Sequence, residues 1–349
     1  MKAMICLVSR QAMPNVIPIL MYKPQLVYLL MTEEERRCGY HLKNLFCKKN
    51  IEVKKIRGIS AYNELTINDT IKNILTELRC DDLTLNITGG TKLMAIGAYE
   101  IFRQNKLPII YCNTEQREIV HLLPDRKVEP IKIKVTIEDY LLAYGYSIED
   151  EKDKSLNATY NPLFTFICSD NEKLNEYTNF ANKVRSRFND NLNSTINSET
   201  KIFKLQKTTR GYFLTVPSAN INLKFPDKRF ILGDWLEYYS GFQLSKKYDG
   251  EYKIGVKIIS DNSVKNEIDL LLLKDYKLYL FSCKSSKAQN DALFELDSLR
   301  SLAGGTFGKA LVILSDNRRA KDLDFYKARA RDLNVVLIDS VEKLNEFEL

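Results

Sequence analysis

The sequence predicts a two-domain α/β protein in which a doubly wound, mostly parallel sheet precedes a second α/β domain. Three observations lead to this fold class. Apolar strands alternate with helical stretches from residue 3 to residue 112, as in a parallel sheet covered on both faces. Three strands follow a helix in the last third of the chain. A length of 349 residues is also too great for one ordinary core.

The elements of the first domain follow from this alternation. The predicted strands cover residues 3–9, 26–31, 51–56, 83–88 and 108–112, and the predicted helices lie near 13–21, 33–48, 66–79 and 91–104. In such a sheet ligands bind beyond the carboxyl ends of the strands, so the loops there are the candidate binding loops. No GxGxxG fingerprint occurs, which disfavours a nicotinamide or flavin cofactor.

Three polar loops fall at that edge of the sheet. One of them, residues 88–92, joins a strand directly to a helix, so free backbone N–H groups and the positive end of the helix dipole point to one place. Its glycines let the main chain approach a ligand closely. An ordinary strand-to-helix connection is the alternative for this turn alone, but the three loops together favour a pocket for a phosphate-rich ligand. The candidate residues are Ser9, Arg10, Gln11, Asn15, Thr88, Gly89, Gly90, Thr91, Lys92, Asn113 and Thr114.

A change of pattern near Pro124 and Pro130 marks the end of the first domain. A helix over 137–148 is predicted as a connector, and the following stretch is rich in Asn, Asp, Lys and Ser. The predicted domains are 1–135 for the first sheet, 136–200 for the connector and entry to the second domain, and 201–349 for the second domain.

The last third of the chain carries a second set of spaced polar residues. A predicted helix at 233–244 precedes strands at 252–260, 266–273 and 277–286. A carboxylate on one strand opposite a polar-x-Lys element on the next is the arrangement of a magnesium-dependent nuclease site. The metal polarises the phosphodiester and activates water, and the lysine stabilises the developing charge.

Five residues are candidates for that chemistry. Asp269 is the central metal ligand, the Cys283 backbone carbonyl is a second ligand, and Lys284 lies beside the attacked phosphate. Glu237 on the preceding helix is an outer ligand or orients the metal-bound water. Glu267 shares a strand face with the central ligand and is a weaker candidate. An amphipathic hairpin with one charged edge is the alternative interpretation.

Composition narrows the classes of function. The net charge of +7, from 52 basic and 45 acidic residues, favours a polyanionic partner. Two histidines disfavour a histidine-rich metal site or a serine–histidine hydrolase. The seven scattered cysteines lack a CxxC pair and indicate reduced core residues. No stretch has the apolar length of a membrane span, so we expect a cytoplasmic protein without a membrane partner.

Sequence blocks in both domains resemble one known family. The similar segments are ICLVSRQAMPNVIPILMYKPQLVYLLMTEE, NITGGTK, GDWLEYY, NEIDLLLL with LFSCK, and LFELDSLRSLAGGTFGKALVIL. They resemble the ancillary nucleases of type III CRISPR systems. In these nucleases an N-terminal CRISPR-associated Rossmann-fold (CARF) sensor precedes a C-terminal restriction-endonuclease-like domain of the PD-(D/E)XK group.

The resemblance implies a homodimer whose paired sensor domains bind one cyclic oligoadenylate, with cyclic tetra-adenylate as the expected ring. A ring with rotational symmetry matches a two-fold cleft in which each subunit presents the same three loops. Binding would shift the nuclease domains toward a cleavage-competent pairing, with motion expected around residues 125–150. The expected substrate is DNA, RNA or both.

One position departs from the family motif. Ser282 stands two residues before Lys284, where the motif carries Asp or Glu. A neutral serine binds metal more weakly, which favours Mn²⁺ over Mg²⁺ because Mg²⁺ loses its waters reluctantly. The alternative function is a non-catalytic sensor or transcriptional regulator with a degraded nuclease domain. Against a regulator, no helix-turn-helix pattern follows residue 200.

Overall fold

The computed structural model describes residues 2–78, 82–190, 197–225, 228–285, 290–305, 307–315 and 322–349. Over these residues the strands form sheets of seven, six and four strands. The two larger sheets, both flanked by helices, confirm the predicted two-domain α/β fold. None of the helices in the described ranges is long and apolar enough to cross a membrane.

The N-terminal sheet contains seven strands. They are β1 (Ala3–Leu7), β2 (Leu26–Leu30), β3 (Glu52–Ile56), β4 (Leu83–Asn86), β5 (Ile109–Asn113), β6 (Glu118–Leu123) and β7 (Lys127–Pro130), with helices α1 (Met13–Tyr22), α2 (Arg36–Lys48), α3 (Glu64–Glu77) and α4 (Lys92–Gln104) between them. The strand order is β3-β2-β1-β4-β5-β6-β7, with β1 to β5 parallel. Every strand and helix predicted here is confirmed, and the carboxyl ends of β1, β4 and β5 lie side by side.

The connector is a helix followed by a strand. Helix α5 spans Ile137–Ala143, and strand β8 spans Tyr146–Lys152. The predicted single helix over 137–148 is therefore wrong in its second half. Gly145 adopts a positive φ of 83°, which ends the helix, and the chain after it extends to pair with the second domain.

A small antiparallel sheet, which the sequence did not predict, precedes the C-terminal sheet. Helices α6 (Leu156–Cys168) and α7 (Asn171–Asp190) lead to β9 (Asn197–Glu199), β10 (Lys204–Thr208), β11 (Gly211–Val216) and β12 (Ile221–Phe225). These strands pair in the order β12-β11-β10-β9. Aromatic and aliphatic side chains of this unit pack with the next helix in one apolar cluster.

The C-terminal sheet has six strands and takes one of them from the connector. Its remaining elements are a π-helical turn (Phe230–Asp234), α8 (Trp235–Lys247), β13 (Glu251–Ser260), β14 (Lys265–Lys274), β15 (Lys277–Lys284), α9 (Asn290–Ala303), β16 (Lys309–Leu314), α10 (Leu323–Asp332), β17 (Val335–Ile338) and α11 (Val341–Glu346). The order is β17-β16-β15-β14-β13-β8. Strands β13, β14 and β15 confirm the three strands predicted here, and they pair as an antiparallel meander.

One apolar core runs through both domains. Leu42 of α2 belongs to the same buried cluster as Leu271 of β14 and Leu280 of β15. Helix α5 lies in this cluster, and its Tyr140 is buried and donates a hydrogen bond to the carbonyl of Gly304 at 2.8 Å. The two sheets are therefore packed together and not merely linked.

Ion pairs also join the N-terminal domain to both ends of β14. Arg37 of α2 donates to both carboxylate oxygens of Asp261, and Nε2 of His41 lies 2.8 Å from Asp261 Oδ2, just before β14. At the other end a guanidinium nitrogen of Arg117 lies 2.7 Å from Asp275 Oδ1. Both hairpin turns that border β14 thus contact the N-terminal domain.

Candidate ligand-binding loops and candidate nuclease centre

Backbone contact fixes the turn after β4 against the end of β1. A Cβ at Gly89 would lie 2.0 Å from the carbonyl oxygen of Leu7, so only glycine fits at this position. Gly90 has a φ of +71°, a conformation that glycine adopts without strain. The loops after β1 and β4 are therefore in direct contact, as the strand order requires.

A buried chain of side-chain amides connects the same loops. Asn15 donates to the carbonyl of Leu7 at 2.9 Å and accepts from Asn86 Nδ2 at 2.9 Å. Asn86 Oδ1 in turn accepts from the backbone N–H and the hydroxyl of Thr88 at 3.2 and 2.6 Å. Asn86 was missed from the sequence, although a polar residue ending the apolar strand LTLN was a visible signal. Asn15 and Thr88 thus hold the loops in place, and direct ligand contact by either stays a prediction.

The turn ends in a capped helix. The hydroxyl of Thr91 accepts from the N–H of Met94 at 3.3 Å and donates to the carbonyl of Ala61 at 2.8 Å. This is a helix N-cap, which leaves the positive end of α4 at the edge of the sheet. The next residue, Lys92, is exposed beside that end.

The loop after β1 has an exposed positive charge, the guanidinium group of Arg10. Ser9 donates to the carbonyl of Gln11 at 3.4 Å. The side chain of Arg10 is 86% exposed, and its Nε lies 3.5 Å from Glu35 at the start of α2. Arg10 is thus available to bind an anion, because an exposed pair of this kind is weak.

The loop after β5 turns tightly. Asn113 Oδ1 accepts from the N–H of Gln116 at 3.3 Å, and Thr114 is buried. The backbone N–H of Cys112 donates to the hydroxyl of Thr88 at 2.7 Å, which joins this loop to the glycine turn. All three predicted loops therefore lie at one edge of the N-terminal sheet.

In the C-terminal sheet the β14–β15 hairpin brings Asp269, Ser282 and Lys284 together. The register pairs Leu270 with Phe281, so the next two residues outward, Asp269 and Ser282, face each other. Asp269 Oδ2 accepts from the Ser282 hydroxyl at 3.2 Å and lies 3.9 Å from Lys284 Nζ. It also accepts from the N–H of Cys283 at 2.6 Å.

Glu237 approaches the same carboxylate from the first turn of α8. Its side chain is only 12% exposed, and both carboxylate oxygens accept hydrogen bonds from Lys152 Nζ, at 2.9 and 2.8 Å. Lys152 also lies 3.2 Å from Asp234. Burial raises the pKa of Glu237 to about 8, and the negative charge of Asp269 adds to the rise, against the pull of Lys152. The sequence did not predict Lys152, because its place depends on β8 pairing with β13.

Arg185 of α7 connects the π-helical turn before Glu237 to the end of the strand that carries Lys284. Its guanidinium donates to the carbonyl of Leu232 in the π-helical turn and to the carbonyl and hydroxyl of Ser285. The turn leads into Glu237, and Ser285 directly follows Lys284. Arg185 therefore fixes the distance between the helix and the strand of the candidate centre.

A small cavity of about 50 Å³ opens beside Asp269, with Ser282 and Lys284 in its wall. Glu295 of α9 also lines it. Glu267 lines this cavity and a larger neighbouring pocket of about 340 Å³ that Lys152 reaches. Glu267, the weaker candidate from the sequence, and Glu295 thus both line the cavity beside Asp269.

The donor types at this centre suit a divalent cation, but few negatively charged side chains are available to bind it. Carboxylate, hydroxyl and carbonyl oxygens are the ligands that Mg²⁺ and Mn²⁺ prefer. In the described part of the chain no group of three or more His, Cys, Asp or Glu side chains is placed to hold a metal. Ser282 supplies a hydroxyl in place of a carboxylate, and Glu237 already holds an ammonium group.

Solved structures with the same fold are known. Can2 from Sulfobacillus thermosulfidooxidans, solved with cyclic tetra-adenylate, aligns with a TM-score of 0.75 and 22% identity over 99% of this chain and 98% of its own. Protein VC1899 from Vibrio cholerae gives a TM-score of 0.77 and 19% identity over 99% and 96%. A type III CRISPR defence DNA nuclease activated by cyclic oligoadenylate gives 0.57 and 19% over 90% of this chain and 45% of its own. These similarities show the fold.

Family models match both halves of the chain. No curated protein matches the sequence. Residues 3–140 match the model of the Card1 CARF domain, and residues 226–347 match the model of the Card1-like endonuclease domain. Together they cover most of the chain in the order that the sequence blocks predicted. The chain belongs to the Card1-like ancillary nucleases of type III CRISPR systems, in which a CARF domain precedes an endonuclease domain.

Proposed function

We propose that this protein is a metal-dependent endonuclease that a cyclic oligoadenylate activates, with cyclic tetra-adenylate as the expected ring. The observation that carries the proposal is the cluster of Asp269, Lys284 and Glu237 within the domain that matches an endonuclease. The other half of the same chain matches a CARF domain. The expected substrate is DNA, RNA or both, and the expected place of action is the cytoplasm.

The proposed activator site is the set of three loops at the edge of the N-terminal sheet. Its residues are Ser9, Arg10, Gln11, Asn15, Thr88, Gly89, Gly90, Thr91, Lys92, Asn113 and Thr114. The exposed cations Arg10 and Lys92 and the N-terminus of α4 favour a phosphate-bearing ligand. Can2, which shares the fold, was solved with cyclic tetra-adenylate.

An apolar surface beside these loops supports a homodimer. Tyr62 and Leu65 at the start of α3 are 86% and 63% exposed, and Ile96 of α4 is 60% exposed. The hydrogen bond from Thr91 to Ala61 places the two helix starts next to each other and next to the glycine turn. Covering this surface with a second copy would pair the loops of two subunits around one ring.

In the proposed nuclease centre the bound metal would polarise the phosphodiester and lower the pKa of a water molecule. Asp269, the Cys283 carbonyl and Glu237 would hold it. Lys284 lies beside Asp269, where its ammonium group stabilises negative charge on the attacked phosphate. Ser282 departs from the PD-(D/E)XK pattern and only hydrogen-bonds Asp269, so we expect Mn²⁺ to support cleavage better than Mg²⁺.

We assign residues 1–135 to the sensor, 136–200 to the connector and 201–349 to the nuclease. Strand β8 lies in the middle segment and forms an edge strand of the nuclease sheet. The connector therefore contributes to the nuclease fold as well as joining the domains.

Cleavage assays with two variants test the function. Wild-type protein, Asp269→Ala and Lys284→Ala are incubated with single-stranded and double-stranded DNA and RNA, Mn²⁺ and cyclic tetra-adenylate. We expect cleavage that requires the ring and falls by about a thousandfold or more in both variants, because each removes a group that acts on the transition state.

Calorimetry with the same ring provides the control. The substitutions lie in the C-terminal sheet, so all three proteins should bind cyclic tetra-adenylate alike. Ring binding without cleavage by the wild type would favour the alternative, a sensor with a degraded nuclease domain. Absence of ring binding would contradict the proposal as a whole.

A further inference from the structure

Lys152 enters the nuclease centre by a path that the neighbouring strand leaves open. It is the last residue of β8, and its side chain crosses β13 at Gly255. A Cβ at Gly255 would lie 2.5 Å from Cδ of Lys152, and Gly255 has a φ of +53°. The local backbone therefore has both the conformation and the missing side chain that this lysine requires.

The ammonium group meets a buried cluster of negative charge. Lys152 binds both oxygens of Glu237 and contacts Asp234, and Asp269 is close enough to oppose ionisation of Glu237. Burial disfavours the charge of Lys152, but the attraction and hydrogen bonds of Glu237 and Asp234 together outweigh it, so the pKa of Lys152 is raised. Buried carboxylates need a cation or a proton, and here a lysine supplies the cation.

We propose that Lys152 is a resident cation of the nuclease centre, which holds Glu237 in the metal-free protein and competes with the divalent metal for that carboxylate. The inference rests on the proposed function for the identity of the metal. Lys152 is a positioning residue, because it acts on the metal through Glu237.

The pocket next to Lys152 provides a place for the displaced ammonium group. This pocket has a volume of about 340 Å³, and besides the lysine five acidic and two basic residues line it. The acidic residues are Asp150, Glu151, Asp153, Asp234 and Glu267, and the basic ones are Arg229 and Lys257, of which Lys257 pairs with Asp150. Rotation of the long, flexible lysine side chain into this pocket would free Glu237 while the charge keeps acidic neighbours.

Metal binding to the full-length protein tests the proposal. Isothermal titration calorimetry with Mn²⁺ compares the wild type with Lys152→Met, which keeps the apolar length and removes the charge. We expect binding about tenfold tighter in the variant, which is a coupling of ordinary size between two competing ligands. The matched control is Lys257→Met, which removes another ammonium group from the same pocket wall, one that pairs with Asp150. Unchanged or weaker Mn²⁺ binding by Lys152→Met would overturn the proposal.

A double-mutant cycle isolates the shared carboxylate. In a Glu237→Gln background the Lys152→Met change should no longer tighten Mn²⁺ binding, because there is no carboxylate left to compete for. Tightening that persists in this background would show a general charge effect and contradict the proposal.

Thermal unfolding guards against a misfolded variant. Lys152→Met leaves Glu237 without its cation, so we expect a lower Tm in chelator and a larger rise on adding Mn²⁺ than in the wild type. An equal rise in the two proteins would count against the proposal. The outcomes also separate from those of the proposed function: a protein that cleaves nothing and still binds Mn²⁺ more tightly after Lys152→Met retains this inference and loses the other.

Discussion

The ligand-binding loops and the nuclease centre hold their polar groups in opposite ways. In the loops, neutral amides and hydroxyls such as Asn15, Asn86 and Thr88 bond to one another and to the backbone. In the nuclease centre, charged groups such as Glu237 and Lys152 bond in pairs. The loops thus depend on the shape of the main chain, whereas the centre depends on a balance of charge.

The largest expected effect comes from adding one carbon atom to the loops. In Gly89→Ala the new Cβ would overlap the carbonyl of Leu7, so the turn must move away from β1. We expect calorimetry to show a loss of cyclic tetra-adenylate affinity of about a hundredfold or more. Gly58→Ala is the control for adding a methyl group to a glycine that has open space around it, since its Cβ would meet nothing within 4 Å and the change strains only its own backbone, at a φ of +75°. Equal losses in both variants would mean that contact between Gly89 and β1 is not what holds the loop for ligand binding.

The second-largest effect is expected from adding a negative charge to the nuclease centre. Ser282→Glu restores the acid of the family motif opposite Asp269. Two adjacent carboxylates repel, so we expect a lower Tm in chelator, with Mg²⁺ and Mn²⁺ binding about tenfold tighter than in the wild type. The control is Ser282→Gln, which adds a side chain of similar size without a charge. Ser285→Glu would not serve, because Ser285 accepts a hydrogen bond from Arg185. Equal metal affinity in the two variants would contradict the view that the missing negative charge at position 282 weakens metal binding.

Removing one amide from the loops should cost stability. Asn86→Ala deletes the link between Asn15 and Thr88 and leaves the buried Oδ1 of Asn15 without this donor. We expect chemical denaturation to show a loss of about 1–3 kcal/mol in the free energy of unfolding. Mn²⁺ affinity should stay constant, since the nuclease centre is in the other sheet, and a change there would contradict the separation of the two sites.

The smallest effect is expected from an ion pair at the contact between the two domains. Arg117 and Asp275 are 59% and 38% exposed, so their ion pair adds little to stability. We expect Arg117→Ala to leave the Tm nearly unchanged and to raise the ring concentration for half-maximal cleavage by about threefold. Arg103→Ala is the matched control, because its partner Glu100 lies within the same helix. Identical activation curves for the two variants would show that this ion pair does not couple ring binding to cleavage.

Local pattern predicted the parts of the molecule that depend on neighbouring residues. Most parallel strands of the first domain are short apolar runs followed by helices, and all five were located. Asp269 and Lys284 could be brought together because a tight turn fixes the register of a hairpin. Direct ligand contacts and the metal remain predictions.

Long-range pairing explains most of what the sequence did not reveal. Lys152 reaches Glu237 only because β8 pairs with β13 about 100 residues later in the chain, as in the register of Ile254 with Lys152. The strand β8 was not predicted: its first three residues fall within the predicted helix 137–148 and the others in the polar stretch that follows, since its alternation is short and charged. Asn86 is the exception, because a single polar residue at the end of a buried strand marked it.

The apolar core that continues from one sheet into the other affects how a signal travels. Bending the chain between residues 125 and 150 would pull α5 out of that core and expose its buried side chains at about 25 cal/mol for each Å². The packing of α5 therefore opposes bending between the two domains, in the segment where the family resemblance implied motion. In the proposed homodimer, a small rotation of one subunit against the other at the sensor end would swing the two nuclease ends through a larger arc.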